Sequence, residues 1–237
     1  MRLVYIYHSG FALEADGFSI LIDYFKDSDP DPAKGYVRSE LLKRAGTLYI
    51  LASHFHPDHF NPEVLKWKEQ KPDIKYIFSK DILKRRRAKA DDAIYLKKGD
   101  AYQDELLTIK AFGSTDVGIS FLIETEGRRI FHAGDLNNWH WKDESTPQEV
   151  AEAEGNYLKE LDIIAKETSV MDLVMFPVDP RLGTDFMRRP AIYRSYKNKR
   201  ICPDALLGTS GGGYGFRPLR RIERMSLYRI VCSGRRD

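Results

Sequence analysis

The sequence predicts an α/β fold in which two layers of β-sheet are covered by helices. Short apolar runs of strand length recur in groups from Leu3 to Pro180, bounded by turn signals. Stretches with helical spacing and helix-start residues lie between those groups. Strands in groups with interspersed helices bury their apolar faces as sheet on sheet, with helices outside. The chain contains no internal repeat.

LVYIY (3–7) reads as the first strand, and FALEADGFSILID (11–23) as two strands folded at Asp16-Gly17. Asp-Gly is a strong hairpin signal because both residues tolerate positive φ. After the loop KDSDPDPAKG, YVRSELLKRAG (36–46) carries helical spacing and stops at Gly46, a suitable residue just past a helix end. TLYILA (47–52) is a buried strand leading into SHFHPDHF (53–60). NPEVLKWKEQ follows, with Asn61 as N-cap and Pro62 in the first helical position. The histidine-rich stretch therefore sits on a strand-to-helix loop. Further strands are expected at 74–78, 93–97, 105–112, 119–125 and 128–132. A helix is expected near 80–90, where ILKRRRAKA reads as a solvated basic face. Thr146, Pro147 and Glu149 form a capping-box pattern that opens a long amphipathic helix to Glu167. MDLVMFPVDP (171–180) is a last apolar strand.

A chain of 237 residues suits one domain of moderate size or two small ones. Its 42% apolar and 31% charged residues describe an ordinary globular protein. No apolar run approaches the roughly 18 residues of a membrane span. The N-terminus alternates in character and meets His8 early, so it reads as a strand and not a signal peptide; cytoplasmic residence is the expectation. Cys202 and Cys232 give neither a disulfide framework nor a CxxC motif. Residues 187–237 hold thirteen Lys or Arg against three acids, so their net +10 leaves −7 for residues 1–186 of a +3 chain. That shift divides an acidic body from a basic tail.

His54 and His56 stand two apart at a strand end, so both side chains can address one point. Asp58 and His59 on the following turn can address a second. Imidazole and carboxylate are the donors that zinc and similar ions take. Two ions about 3.5–4 Å apart share a bridging water and lower its pKa.

HFHPDH (54–59) resembles the HxHxDH signature of the metallo-β-lactamase superfamily. HSGFALEADGFSILID (8–23) resembles the opening hairpin of its UlaG-like branch. GRRIFHAGD (127–135) resembles the strand bearing the metal-bridging aspartate, and FPVDPRLG (176–183) a later segment. The resemblance covers roughly residues 3–186. It implies an αββα sandwich, with the C-terminal part incomplete or irregular. It also implies His54 and His56 on a first metal, Asp58 and His59 on a second, and Asp135 bridging both. His8 would line the cleft or join a metal, and His132 would support the ligands or the core. Trp139, His140 and Trp141 would line a substrate pocket or pack under a loop.

Two departures stand out. The superfamily places a third histidine for the first metal where this chain has FGSTDVGISF, with Ser114 at the position. Neutral serine is a poor zinc ligand. Either Asp116 reaches in as an oxygen donor, or water fills the place, which favours a harder ion such as manganese; or Ser114 and Thr115 make a turn. The branch also carries a late histidine in a segment like PMHFW, yet no histidine follows His140. Codons for Cys202–Gly208 can be chosen so that the +1 frame reads Val-Pro-Met-His-Phe-Trp. The tail 187–237 is therefore expected to be out of frame or disordered. Its rival reading is a basic arm in which Tyr193, Tyr196, Tyr214 and Phe216 stack on bases.

The resulting expectation is a metal-dependent hydrolase using metal-activated hydroxide on an ester, lactone, amide or phosphoester. Asp58 and His59 would carry the catalytic roles, Asp58 orienting the nucleophile. The cofactor would be zinc, up to two divalent ions, with manganese or iron as alternatives. The partner would be a small-molecule substrate, not a membrane or nucleic acid. The alternatives are a metal-binding but inactive member, or a nucleic-acid-binding protein or nuclease using the tail.

Overall fold

The computed structural model describes residues 1–179, 181–182, 201–205 and 230–232. Among them, one sheet contains β1 (Arg2–Tyr7), β2 (Gly10–Glu14), β3 (Phe18–Ile22), β4 (Thr47–Ala52), β5 (Ile74–Ser79), β6 (Ile94–Leu96) and β13 (Ile230–Cys232). Its strand order is β13-β1-β2-β3-β4-β5-β6. The other contains β7 (Ala101–Gln103), β8 (Thr108–Phe112), β9 (Ser120–Thr125), β10 (Arg128–His132), β11 (Leu173–Val178) and β12 (Ile201–Ala205). It runs β12-β11-β10-β9-β8-β7.

Strand parity distributes the core. Along β4, Tyr49 and Leu51 join the inter-sheet core while Leu48, Ile50 and Ala52 face the outer layer. Along β9, Phe121 and Ile123 face between the sheets and Leu122 faces outward. The outer layer of the first sheet is α1 (Tyr36–Ser39), α2 (Lys80–Lys84) and two 3₁₀ segments, Leu41–Lys43 and Pro62–Glu69. The second sheet is covered by α3 (Pro147–Glu167), through Tyr157, Leu161 and Ile164. Its N-terminus has the expected capping box, in which Thr146 N–H donates to Glu149 and Glu149 N–H to the Thr146 hydroxyl. The architecture is the αββα sandwich. Among the described residues no helix is long and apolar enough to cross a membrane.

Several elements differ from the sequence reading. The expected helix over 36–46 breaks at Glu40 into α1 and a 3₁₀ turn, which lets Tyr36, Val37, Leu41 and Leu42 all bury. Gly46 is required by close approach, not by a helix end: a Cβ there would lie 1.9 Å from the carbonyl oxygen of Gly17. Residues 62–69 form a 3₁₀ helix, whose three-residue turn places buried Val64 and Trp67 on one side. The helix near 80–90 stops at Lys84. β8 begins at Thr108 and not 105, because Asp104 accepts the N–H groups of Leu106 and Leu107 and turns the chain. β7 was not expected. The proposed boundary near Met187 and the tail aromatics lie outside the described residues.

The topology brings one end of both sheets together. β3, β4 and β5 run parallel and end at Ile22, Ala52 and Ser79. β2 is antiparallel to β3, with Phe11 opposite Ile22, so the His8–Ser9 turn is at that same end. In the second sheet β10 ends at His132 opposite Phe121, so the loop preceding β9 lies beside it. Ile119 N–H donates to Ser53 O at 3.0 Å, tying the two ends to each other.

At the side edge Asp104 fastens the sheets. It accepts from Tyr49 of β4, Tyr102 of β7 and Lys75 of β5, each at 2.7 Å. Burial opposes its charge, but Lys75 and the two phenols outweigh that and depress its pKa. A depressed carboxylate contributes stability above its unfolded pKa of about 3.9, lost as pH falls through the folded value. Asp104→Asn should destabilise by about 1–2 kcal/mol near neutrality. In thermal melts its gap from the parent protein should close below about pH 4; a gap independent of pH contradicts this assignment.

Candidate metal centre

Asp23, the residue after β3, organises the site. Its φ of 49° lies in the left-handed region, which aspartate tolerates better than most residues. Fully buried, its carboxylate accepts from Ser53 N–H at 2.7 Å, Ser53 Oγ at 2.6 Å and His59 Nδ1 at 2.8 Å. Burial would raise its pKa, yet the His132 and His59 imidazoles hold it well below the usual carboxylate range.

These bonds fix two tautomers. The single hydroxyl proton of Ser53 goes to Asp23, so Ser53 Oγ accepts from His54 Nδ1–H at 3.0 Å. His59 Nδ1–H goes to Asp23 directly. Both imidazoles therefore turn Nε2 toward Asp135. His54 Nε2 lies 3.4 Å from Asp135 Oδ2, and His59 Nε2 lies 3.3 Å from Asp135 Oδ1. His54 Nε2, His59 Nε2 and Asp135 Oδ1 are buried and have no hydrogen-bond partner. Such groups are costly unless something satisfies them. Imidazole nitrogens and carboxylate oxygens facing one another are donors for a divalent cation, so the residues fit a metal.

The side chains form two groups, each with ligand atoms within 4.8 Å of one another: His54, His56, Asp116 and Asp135; and His8, Asp58 and His59. His54 and His56 rings meet edge-on at 4.6 Å, and His54 and His59 ring centroids are 4.1 Å apart. His56 Nδ1 lies 3.8 Å from Asp116 Oδ2, and His8 Nε2 3.7 Å from Asp58 Oδ2. Burial, then His59, lowers the His54 pKa to about 4, which keeps the ring neutral and able to donate a lone pair. Burial also works against charge on His59, but Asp135 and Asp23 prevail and raise its pKa well above the usual value. With its Nδ1–H held by Asp23, His59 would give up that Nε2 proton where a divalent cation is bound.

The Asp116 loop is held by close packing. Gly118 has φ +81°, and a Cβ there would lie 2.1 Å from Ser53 O and 2.4 Å from His54 Cβ. Ser114 joins neither group; its hydroxyl accepts Asp116 N–H at 3.3 Å. Thr115 Oγ1 donates to Asn137 O and accepts Asn137 N–H, joining this loop to the one after Asp135.

His132 is buried on the inter-sheet side of β10. Its Nδ1 accepts Gly134 N–H at 3.1 Å and its Nε2 faces Ser9 O at 3.2 Å, so it braces the turn carrying His8. Trp139 Nε1 donates to the Asp135 carbonyl at 2.8 Å, and its ring stacks with Trp141 at 6.0 Å. A cleft of about 260 Å³ opens there, lined by Thr115, Trp139, Glu149, Glu152, Ala153 and Asn156. Trp141 and His140 are not on that lining; His140 is buried and its Nδ1 accepts Lys142 N–H at 3.1 Å. Sequence reasoning missed Asp23 as an organiser. Its signal was a single acid closing the apolar run Ile20-Leu21-Ile22.

Residues 2–151 match the family model described as the beta-lactamase superfamily domain, and the chain belongs to that superfamily. A metallo hydrolase of Ignicoccus hospitalis, Igni18, is similar in fold, with a TM-score of 0.55 at 18% identity over 85% of this chain and 81% of that one. The diiron β-hydroxylase CmlA of Streptomyces venezuelae has a TM-score of 0.50 at 16% identity, over 73% of this chain and 34% of its own. At these identities the likeness shows the metallo-β-lactamase fold. No curated protein matches.

Asp23→Asn should weaken metal binding about 10–100-fold, because His59 and, through Ser53, His54 lose their orientation; calorimetric titration showing unchanged affinity contradicts the role. Gly118 and Gly127 both have positive φ, but nothing lies within 4 Å of a Cβ at Gly127. Gly118→Ala should therefore lower the melting temperature well beyond Gly127→Ala, which bears only the backbone penalty of about 1 kcal/mol. Equal losses would mean the Asp116 loop is not packed as described.

Proposed function

We propose that the protein is a metal-dependent hydrolase of the UlaG-like type, acting on an ester, lactone, amide or phosphoester of a small molecule. The observation that carries this reading is Asp135, whose two carboxylate oxygens each face the unpartnered Nε2 of a different group. His54, His56, Asp116 and Asp135 would hold one ion, and His8, Asp58 and His59, with Asp135 shared, the other. Divalent ions bound by these residues would supply a water of lowered pKa and polarise the bond to be cleaved.

The chain's own residues do the rest. Asp23 and Ser53 hold His54 and His59 in donor tautomers. Asp58, whose side chain is 41% exposed, stands at the mouth of its group, where it can orient the nucleophile and take up its proton. Asp116 provides oxygen where the superfamily has a third imidazole, a donor set that suits manganese or iron as well as zinc. His8 supplies the second group with an imidazole from the β1–β2 turn, upstream of the signature.

Metal-stripped protein titrated with zinc or manganese should take up two equivalents per chain. Asp135→Ala should weaken both sites, whereas Asp116→Ala and His8→Ala should each weaken one. Loaded protein should hydrolyse at least one of a nitrophenyl ester, a lactone, an anilide and a phosphodiester. Failure of every substrate at full metal loading would sink the hydrolase reading, and one equivalent or fewer would sink the two-ion centre.

A further inference from the structure

Arg181 is held beside the centre between a buried carboxylate and an indole ring. Its Nε donates to both oxygens of Asp179 at 2.9 Å, and its Nη2 donates to Asp179 Oδ2 at 2.5 Å. Asp179 is buried, so the anchor is fixed, while the Arg181 side chain stays 60% exposed. The Asp179 bonds engage Nε and Nη2 and leave Nη1 outside the fork.

The guanidinium lies 5.5 Å over the Trp141 ring centroid. Trp141 adopts φ 41°, an uncommon conformation for a bulky side chain. Its ring stacks with Trp139, which bonds the carbonyl of Asp135. A continuous set of contacts thus runs from the cation to Asp135, which faces a histidine of each group. Asp179 first, and then Asp135 and Asp58 through their fields, favour the charged guanidinium. The result is a rigid, charged, solvent-facing donor at the edge of a carboxylate-rich centre.

We propose that Arg181, seated on Trp141 and braced by Asp179, binds an oxyanion group of the substrate, so that the enzyme selects substrates carrying a phosphate or carboxylate. Guanidinium recognises such groups with directed N–H donors, and an aromatic base holds it in one orientation. The inference rests on the hydrolase reading of the same centre and deepens it.

The test uses the full, metal-loaded chain and Arg181→Gln, with equal metal content and a cooperative melting transition as the check on folding, since the variant leaves buried Asp179 without its cation. Phenyl phosphate binding, read by calorimetry, should weaken about tenfold or more in the variant. With a matched pair of esters, one neutral and one bearing a remote carboxylate, KM should rise about tenfold for the anionic ester alone, with kcat little changed. Arg181→Lys keeps the charge without the fork and should fall between the two; it also serves if the glutamine variant does not fold. Equal losses on both esters, or unchanged phenyl phosphate binding, overturn the proposal. Arg181-dependent binding without turnover of either ester would uphold it and overturn the hydrolase reading; turnover of both esters indifferent to Arg181 would do the reverse.

Discussion

The whole site depends on one buried carboxylate. Asp23 is fully enclosed, and a charge so placed persists only where donors surround it. The donors here are the Ser53 backbone and hydroxyl and the His59 ring. Satisfying that charge decides which nitrogen of His59 bears its proton and, through Ser53, which nitrogen of His54 does. A single electrostatic requirement therefore aims two imidazoles at Asp135. The aspartate performs this from outside either donor group, in the manner of the carboxylate–histidine pairs that orient ligands elsewhere.

Sheet register supplies the rest. Parallel β3, β4 and β5 end together, and the β2–β3 pairing returns His8 to the same level. The second sheet contributes from the opposite wall, with Asp135 after β10 and Asp116 before β9. The walls approach closely enough that Gly118 and Gly134 lie against Ser53, where a side chain would clash. Close packing between the sheet ends and convergence of these histidines and carboxylates are the same fact viewed from two sides. The ends of parallel strands are where such folds place their chemistry, because the loops there are free to vary while the strands hold their origins still.

Much of this was legible in the sequence. Alternation of apolar residues marked most strands, and Thr146-Pro147-Glu149 marked the start of the long helix. His54, His56, Asp58 and His59 announced themselves by density within six residues. Asp135 was readable only because the upstream motif gave its Gly-Asp turn a context. Other parts depended on contacts that no local pattern carries. Asp23 acts on residues thirty and thirty-six positions away. Gly46 reads locally as a helix end, yet its reason is a backbone twenty-nine residues earlier. The 3₁₀ turn of 62–69 goes with burial of Val64 and Trp67, three residues apart, in the outer core, a tertiary contact that no local pattern carries. Ser114 drew notice by position, but the carboxylate two residues on is the group that faces His56.

The central claim is that Asp135 joins two metal-binding groups across the end of the sandwich. Anomalous diffraction from crystals soaked in manganese, collected at the metal edge, tests it most directly. Two peaks are predicted, one among His54, His56, Asp116 and Asp135 and one among His8, Asp58, His59 and Asp135. A single peak away from Asp135, or two peaks with Asp116 and His8 turned elsewhere, would contradict the account.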